Sequence, residues 1–124
     1  MKKTLLIASL TLVAASVTHA ETSATVTLTG PYIAMCQNKT SVAEQNFCHG
    51  FGQGVYDMYL MSRHPKKAPA YVCPPTPGPK RAEVLDAFVV WANQNTQYAD
   101  KSAADTLMRY LAERFPCKTA KKGS

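Results

Sequence analysis

The sequence predicts an all-α domain, a small bundle of about four helices stapled by two disulfides. Three observations carry that reading. Apolar residues recur at helical spacing, the four cysteines form an even set, and six of the eight prolines gather in one stretch between helices. A chain of 124 residues allows one small domain.

Lys2 and Lys3 head an almost wholly apolar run, Thr4 to Val17, followed by Thr18, His19 and Ala20. A basic start, a short apolar centre and small residues before the cut describe a secretory signal peptide over residues 1–20, with the mature chain starting at Glu21. Residues 21–117 are then the helical domain, and residues 118–124 a disordered basic tail. The formal charge of +6 shrinks on this division, because two bases belong to the signal and Lys118, Lys121 and Lys122 to the tail. Residues 21–117 hold nine bases against eight acids, too small a surplus for a phosphate-binding face, so nucleic acid is not an expected partner. After the signal no apolar run is long enough to span a bilayer.

Glu21 to Leu28 reads as an extended arm. Thr29, Gly30 and Pro31 open a short first helix carrying Tyr32, Ile33, Met35 and Cys36, with proline tolerated where its missing donor costs nothing. The second helix begins at the capping box Ser41-x-x-Glu44 and runs through Phe47, Phe51, Val55, Met58, Tyr59 and Ser62, ending before Pro65. Gly50, Gly52 and Gly54 interrupt it, each costing up to about 1 kcal/mol against alanine. Gly50 and Gly54 lie four apart on one face, and the expectation is that a neighbouring helix of the same core packs closely there, by analogy with small-residue crossings. The proline-rich stretch, 63–80, is a long connection. A third helix follows from Arg81 to Asn93, burying Val84, Leu85, Phe88, Trp91 and Ala92. After a polar loop, Asn93 to Lys101, a fourth opens near Ser102, turns Ala104, Leu107, Met108, Leu111 and Phe115 inward, and stops at Pro116.

An exported chain of about 100 residues has a modest core, and Cys36, Cys48, Cys73 and Cys117 supply covalent support. Four cysteines allow three pairings. Cys36 with Cys48 and Cys73 with Cys117 is preferred, since the first joins neighbouring helices and the second suits an antiparallel pair. On the chain-entropy view these loops contribute about 3 and about 4 kcal/mol. The spacings are not those of zinc sites, and no metal or cofactor is expected. No nucleophile with a base, carboxylate pair or metal cluster stands out, so the chain is not expected to be an enzyme. That third-ranked possibility would require folding to unite His49, Asp57 and a loop residue.

The segments Cys48-His-Gly-Phe-Gly-Gln-Gly-Val-Tyr-Asp57, Tyr71-Val-Cys73-Pro74, Ala103-Ala-Asp-Thr-Leu107 and Phe115-Pro-Cys117 together resemble the Rap/Tai family of type VI secretion immunity proteins. The likeness runs from about residue 30 to residue 117. It implies a periplasmic protein that binds and inhibits a cognate effector, typically a peptidoglycan amidase, by placing a loop over the effector's active-site cleft. It also implies a homodimer. A departure is that Asn93-Gln-Asn-Thr-Gln-Tyr98 stands where relatives often carry a His-Pro turn. Two loops are candidates for the contact: Arg63, His64, Lys66, Lys67 and Tyr71 in the first, Asn95, Gln97 and Tyr98 in the second. The alternative reading is a periplasmic stress chaperone triggered by acid, which only His49, His64 and eight carboxylates are available to drive.

Overall fold

A computed structural model describes residues 25–64 and 68–118. The expected signal peptide, Lys66, Lys67 and the tail beyond Lys118 lie outside the described residues. Four helices follow in chain order: α1 (Thr29–Gln37), α2 (Val42–Ser62), α3 (Arg81–Gln94) and α4 (Ala103–Arg114), with a single 3₁₀ turn, Thr96–Tyr98, between the last two. Both preferred disulfides are present, Cys36–Cys48 and Cys73–Cys117. No described helix is long and apolar enough to cross a membrane.

The start of α1 is docked rather than free. A helix leaves its first amides without internal partners, and here the Thr29 and Gly30 N–H groups donate to the Lys101 and Ala99 carbonyls, each at 2.9 Å. Pro31 has no donor to satisfy. The arm before it is also engaged: Leu28 forms an antiparallel bridge with Ser102, and the Ala103 N–H donates to the Thr27 carbonyl at 2.8 Å. Thr29 is buried, its hydroxyl donating to the Lys101 carbonyl at 3.0 Å and lying 2.9 Å from the buried Thr106 hydroxyl. This polar pair ties α1 to α4 inside an otherwise apolar core.

At its other end α1 turns directly into α2. The Gln45 side-chain amide faces the Met35, Cys36 and Asn38 carbonyls at 3.0–3.2 Å, closing the end of α1. Ser41 caps α2 as expected, accepting from the Glu44 N–H at 3.3 Å. The reciprocal half of the capping box is not made. The Ser41 N–H goes to the Asn38 carbonyl, and the Glu44 carboxylate accepts from the Asn38 side chain instead.

The centre of the fold is Tyr32, fully buried, with its hydroxyl donating 2.7 Å to the Cys48 carbonyl on α2. Its ring packs against Phe51 (centroids 4.7 Å apart) and Phe88 (6.1 Å). Burial raises its pKa well above that of a free tyrosine, so the hydroxyl remains a donor. Burying an aromatic side chain of this kind contributes about 1.5–3 kcal/mol. The approach is possible because residue 52 is glycine: a Cβ there would stand 2.9 Å from Leu85 Cδ2 and 3.1 Å from the Tyr32 hydroxyl oxygen.

This corrects the expectation for the glycines. Gly52, not Gly50 or Gly54, sits at the helix crossing. A Cβ at Gly50 or Gly54 would meet nothing within 4 Å, and both are exposed. The buried face of α2 is accordingly turned by one residue from the expected stripe. Cys48, Gly52 and Tyr59 are inward, whereas Phe47 and Met58 are exposed. On α4, Leu107 and Leu111 are buried as expected, with Met108 and Phe115 packed partly buried against the core; Ala103, Thr106 and Tyr110 are buried as well, and Ala104 is half-buried at the edge. On α3, Leu85, Phe88, Val89 and Ala92 are buried, with Val84 and Trp91 partly so.

The glycines differ in a measurable way. Gly52→Ala should destabilise the fold by about 1–3 kcal/mol through overpacking. Gly54→Ala, with open space around it, should stabilise by up to about 1 kcal/mol. Urea unfolding of the two variants checks both signs.

Candidate functional site

The last two turns of α2 carry a side-chain cluster built on Tyr59. Its ring is buried, but its hydroxyl reaches the returning chain, accepting from the Tyr71 and Val72 N–H groups, both at 3.1 Å. One side chain therefore fixes the backbone after the loop. The Tyr71 ring meets Tyr59 edge-on at 4.7 Å and remains 52% exposed. The Arg63 guanidinium carbon lies 5.6 Å from the Tyr59 ring centroid, and its Nε donates to the Ala68 carbonyl at 3.2 Å. His64 is exposed beside it. Three members of the first expected contact loop, Arg63, His64 and Tyr71, thus belong to one patch.

The second loop is built differently. Asn95 closes the end of α3, its side-chain amide donating to the Trp91 carbonyl at 2.8 Å. Tyr98 stacks on Trp91, with centroids 5.7 Å apart, and its ring centroid lies 6.0 Å from the Arg109 guanidinium carbon. Arg109 in turn donates to the Asp105 carboxylate at 2.7 Å, a bond that raises its pKa further. Asn95 and Tyr98 have internal tasks, leaving Gln97 as the expected contact residue of this loop whose side chain is exposed. The two loops gather around different aromatic residues, Tyr59 and Trp91.

A surface feature not expected from the sequence lies beside Tyr59. An open groove of about 550 Å³ runs between α2 and α4, walled by Phe51, Val55 and Met58 on one side and Ala104 and Met108 on the other, with Tyr71 at its end. Gly54 also lines it, where the missing side chain leaves the α2 backbone accessible. Met58 and the neighbouring Met61 are 68% and 70% exposed. Exposed apolar surface of this kind marks interaction sites, and flexible thioethers adapt to a partner's shape. The sequence did contain a signal, since glycine recurs on an exposed helical face where alanine would be more stable.

The residues on which catalysis would depend are not united. His49 and Asp57 stand on the same helix, about 12 Å apart along its axis at 1.5 Å per residue. Asp57 is engaged by the Gln53 side-chain amide at 2.8 Å.

With this geometry in view, comparison with known families is informative. A family model described as Rap1a immunity proteins matches residues 29–117. The chain belongs to this family. The matched span begins at the first residue of α1 and ends at Cys117, so it takes in the four helices and both disulfides. The Rap/Tai resemblance of the cysteine and glycine segments agrees with it. No curated protein and no solved structure matches the chain.

The role given to Tyr59 has a direct test. Tyr59→Phe removes the acceptor of two amides, which should cost about 1–3 kcal/mol. It should also speed hydrogen exchange at Tyr71 and Val72 by at least about tenfold. Residue-resolved exchange by NMR reads both effects. Unchanged exchange would mean that the hydroxyl does not hold the segment.

Proposed function

We propose that this protein acts in the periplasm as the immunity partner of a type VI secretion effector of the peptidoglycan-amidase class. It would neutralise the toxin by binding it through the α2–α4 groove and the adjoining Arg63, His64 and Tyr71. The family membership carries the function, and the groove is the feature that supports this choice of surface. Gly54 supports a groove that receives a partner over one that is merely incomplete core. Glycine on an exposed helical face costs up to about 1 kcal/mol against alanine, and no packing among the described residues offsets it. A partner that approaches the α2 backbone closely would.

The interaction has a clear division of labour. The methionines and Tyr71 offer apolar contact area, and central aromatic and apolar groups usually dominate such interfaces. Arg63 and His64 lie at the edge, where charge guides encounter more than it adds affinity. The two disulfides suit an exported protein that works outside the reducing cytoplasm. A second copy of the chain is the competing occupant of the same groove.

The test is co-expression in the periplasm with the product of the adjacent toxin gene. The unaltered protein should prevent lysis. Gly54→Gln, which fills the groove with a good helix former, and Met58→Glu should fold yet lose protection. Lysis in the presence of the unaltered protein would overturn the immunity reading. Full protection by both variants, or a dimer that these variants convert to a protective monomer, would overturn the assignment of the groove to the effector.

A further inference from the structure

The proline-rich segment roofs a second cavity, separate from the α2–α4 groove and unused by the reading above. It encloses about 460 Å³, within the range of small-molecule sites. Leu85, Leu107, Leu111 and Val72 lie at its base but are at most 6% exposed, so its accessible apolar wall is Pro74, Pro79, Val84 and Phe115. Gln53, Tyr56 and Arg81 line it as well.

The roof is braced. The Val72 N–H is held by the Tyr59 hydroxyl, the Cys73 N–H donates to the Phe115 carbonyl at 2.7 Å, and the Cys73–Cys117 disulfide fixes the same point covalently. Prolines restrict the backbone dihedrals on either side of any collapse. The segment is therefore held in place over the buried leucines, with Val84 and Phe115 half-buried beside it.

The polar side chains are Gln53, Tyr56, Thr76 and Arg81. Among the described lining residues Arg81 is the one that carries charge. Its guanidinium is engaged by a neutral partner, donating to the Gln53 side-chain carbonyl at 3.3 Å, and its remaining donors suit a carboxylate. Tyr56, whose pKa is raised chiefly by burial, keeps its hydroxyl as a neutral donor. Largely apolar, with one cation and no anion among its described lining residues, the cavity matches an apolar molecule that carries one anionic group.

We propose that the cavity beneath the proline-rich segment binds a small apolar molecule bearing one carboxylate, with its hydrocarbon on Val84, Phe115 and the prolines and its charge at Arg81. The site is independent of the effector surface, so either assignment can fail without the other.

Decanoate, decanol and decyltrimethylammonium are the probes, titrated into the purified protein and followed by NMR shifts. Decanoate should bind saturably, shifting residues 72–85 and sparing Met58 and Met108. Arg81→Gln should weaken decanoate at least about tenfold, the loss expected for a charge-assisted hydrogen bond, with little effect on decanol. Val84→Trp, which fills the cavity from α3, should abolish binding of both. The proposal is overturned by an absence of saturable binding, by equal affinity for the cationic probe, or by shifts confined to the α2–α4 groove. It is equally overturned if Arg81→Gln binds decanoate as tightly as the unaltered protein, a result that does not depend on how Val84→Trp folds.

Discussion

The hydrogen bond from the Tyr32 hydroxyl to the Cys48 carbonyl, made over a glycine, is the contact on which the bundle depends. It brings α1 against α2 where Leu85 of α3 also arrives, and a single Cβ at residue 52 would intrude on both neighbours. The Cys36–Cys48 disulfide fixes the same pair of helices, and its cysteines are buried. Together these set the rotation of α2 about its axis. That rotation turns Tyr59 inward and leaves Gly54, Met58 and Met61 outward, so the packing of the core also determines the composition of the exposed groove.

A second set of constraints positions the chain after α2. Tyr59 holds the backbone of residues 71 and 72, and Cys73 is bonded to Cys117 at the end of α4. The long connection is thus anchored at residues 71–73, though its described residues form no regular structure. The outcome is a rigid platform with two distinct recesses, an open one between α2 and α4 and a more enclosed one beneath the prolines. A binding protein benefits from such rigidity, because little order remains to be imposed when the partner arrives.

Local signals were readable in the sequence wherever a few neighbouring residues decide the outcome. Ser41 announced the start of α2, Ser102 that of α4, and the prolines bounded the connection; both disulfides match the preferred pairing, one of three that four cysteines allow. The phase of α2 was not readable, since Met58 and Tyr59 are both plausible core residues and their fates depend on the three-way contact at Gly52. Thr29 and Thr106 are polar, and their burial becomes favourable only when the two hydroxyls meet across 77 positions of sequence. Of the expected contact residues, Arg63, His64 and Tyr71 share one surface because the chain returns to Tyr59. Asn95 and Tyr98 resemble loop residues in sequence, yet their partner is Trp91 on the preceding helix.

Two consequences of one folding decision therefore support the functional reading: the same turn of α2 that completes the core leaves an apolar, glycine-bearing face without a partner among the described residues. The most direct measurement of this link is hydrogen–deuterium exchange of the protein with and without a type VI effector that it protects against. The account predicts new protection at residues 54–62, 71 and 104–108. Protection confined to the proline-rich segment and the start of α3, with the groove exchanging as in the free protein, would contradict it.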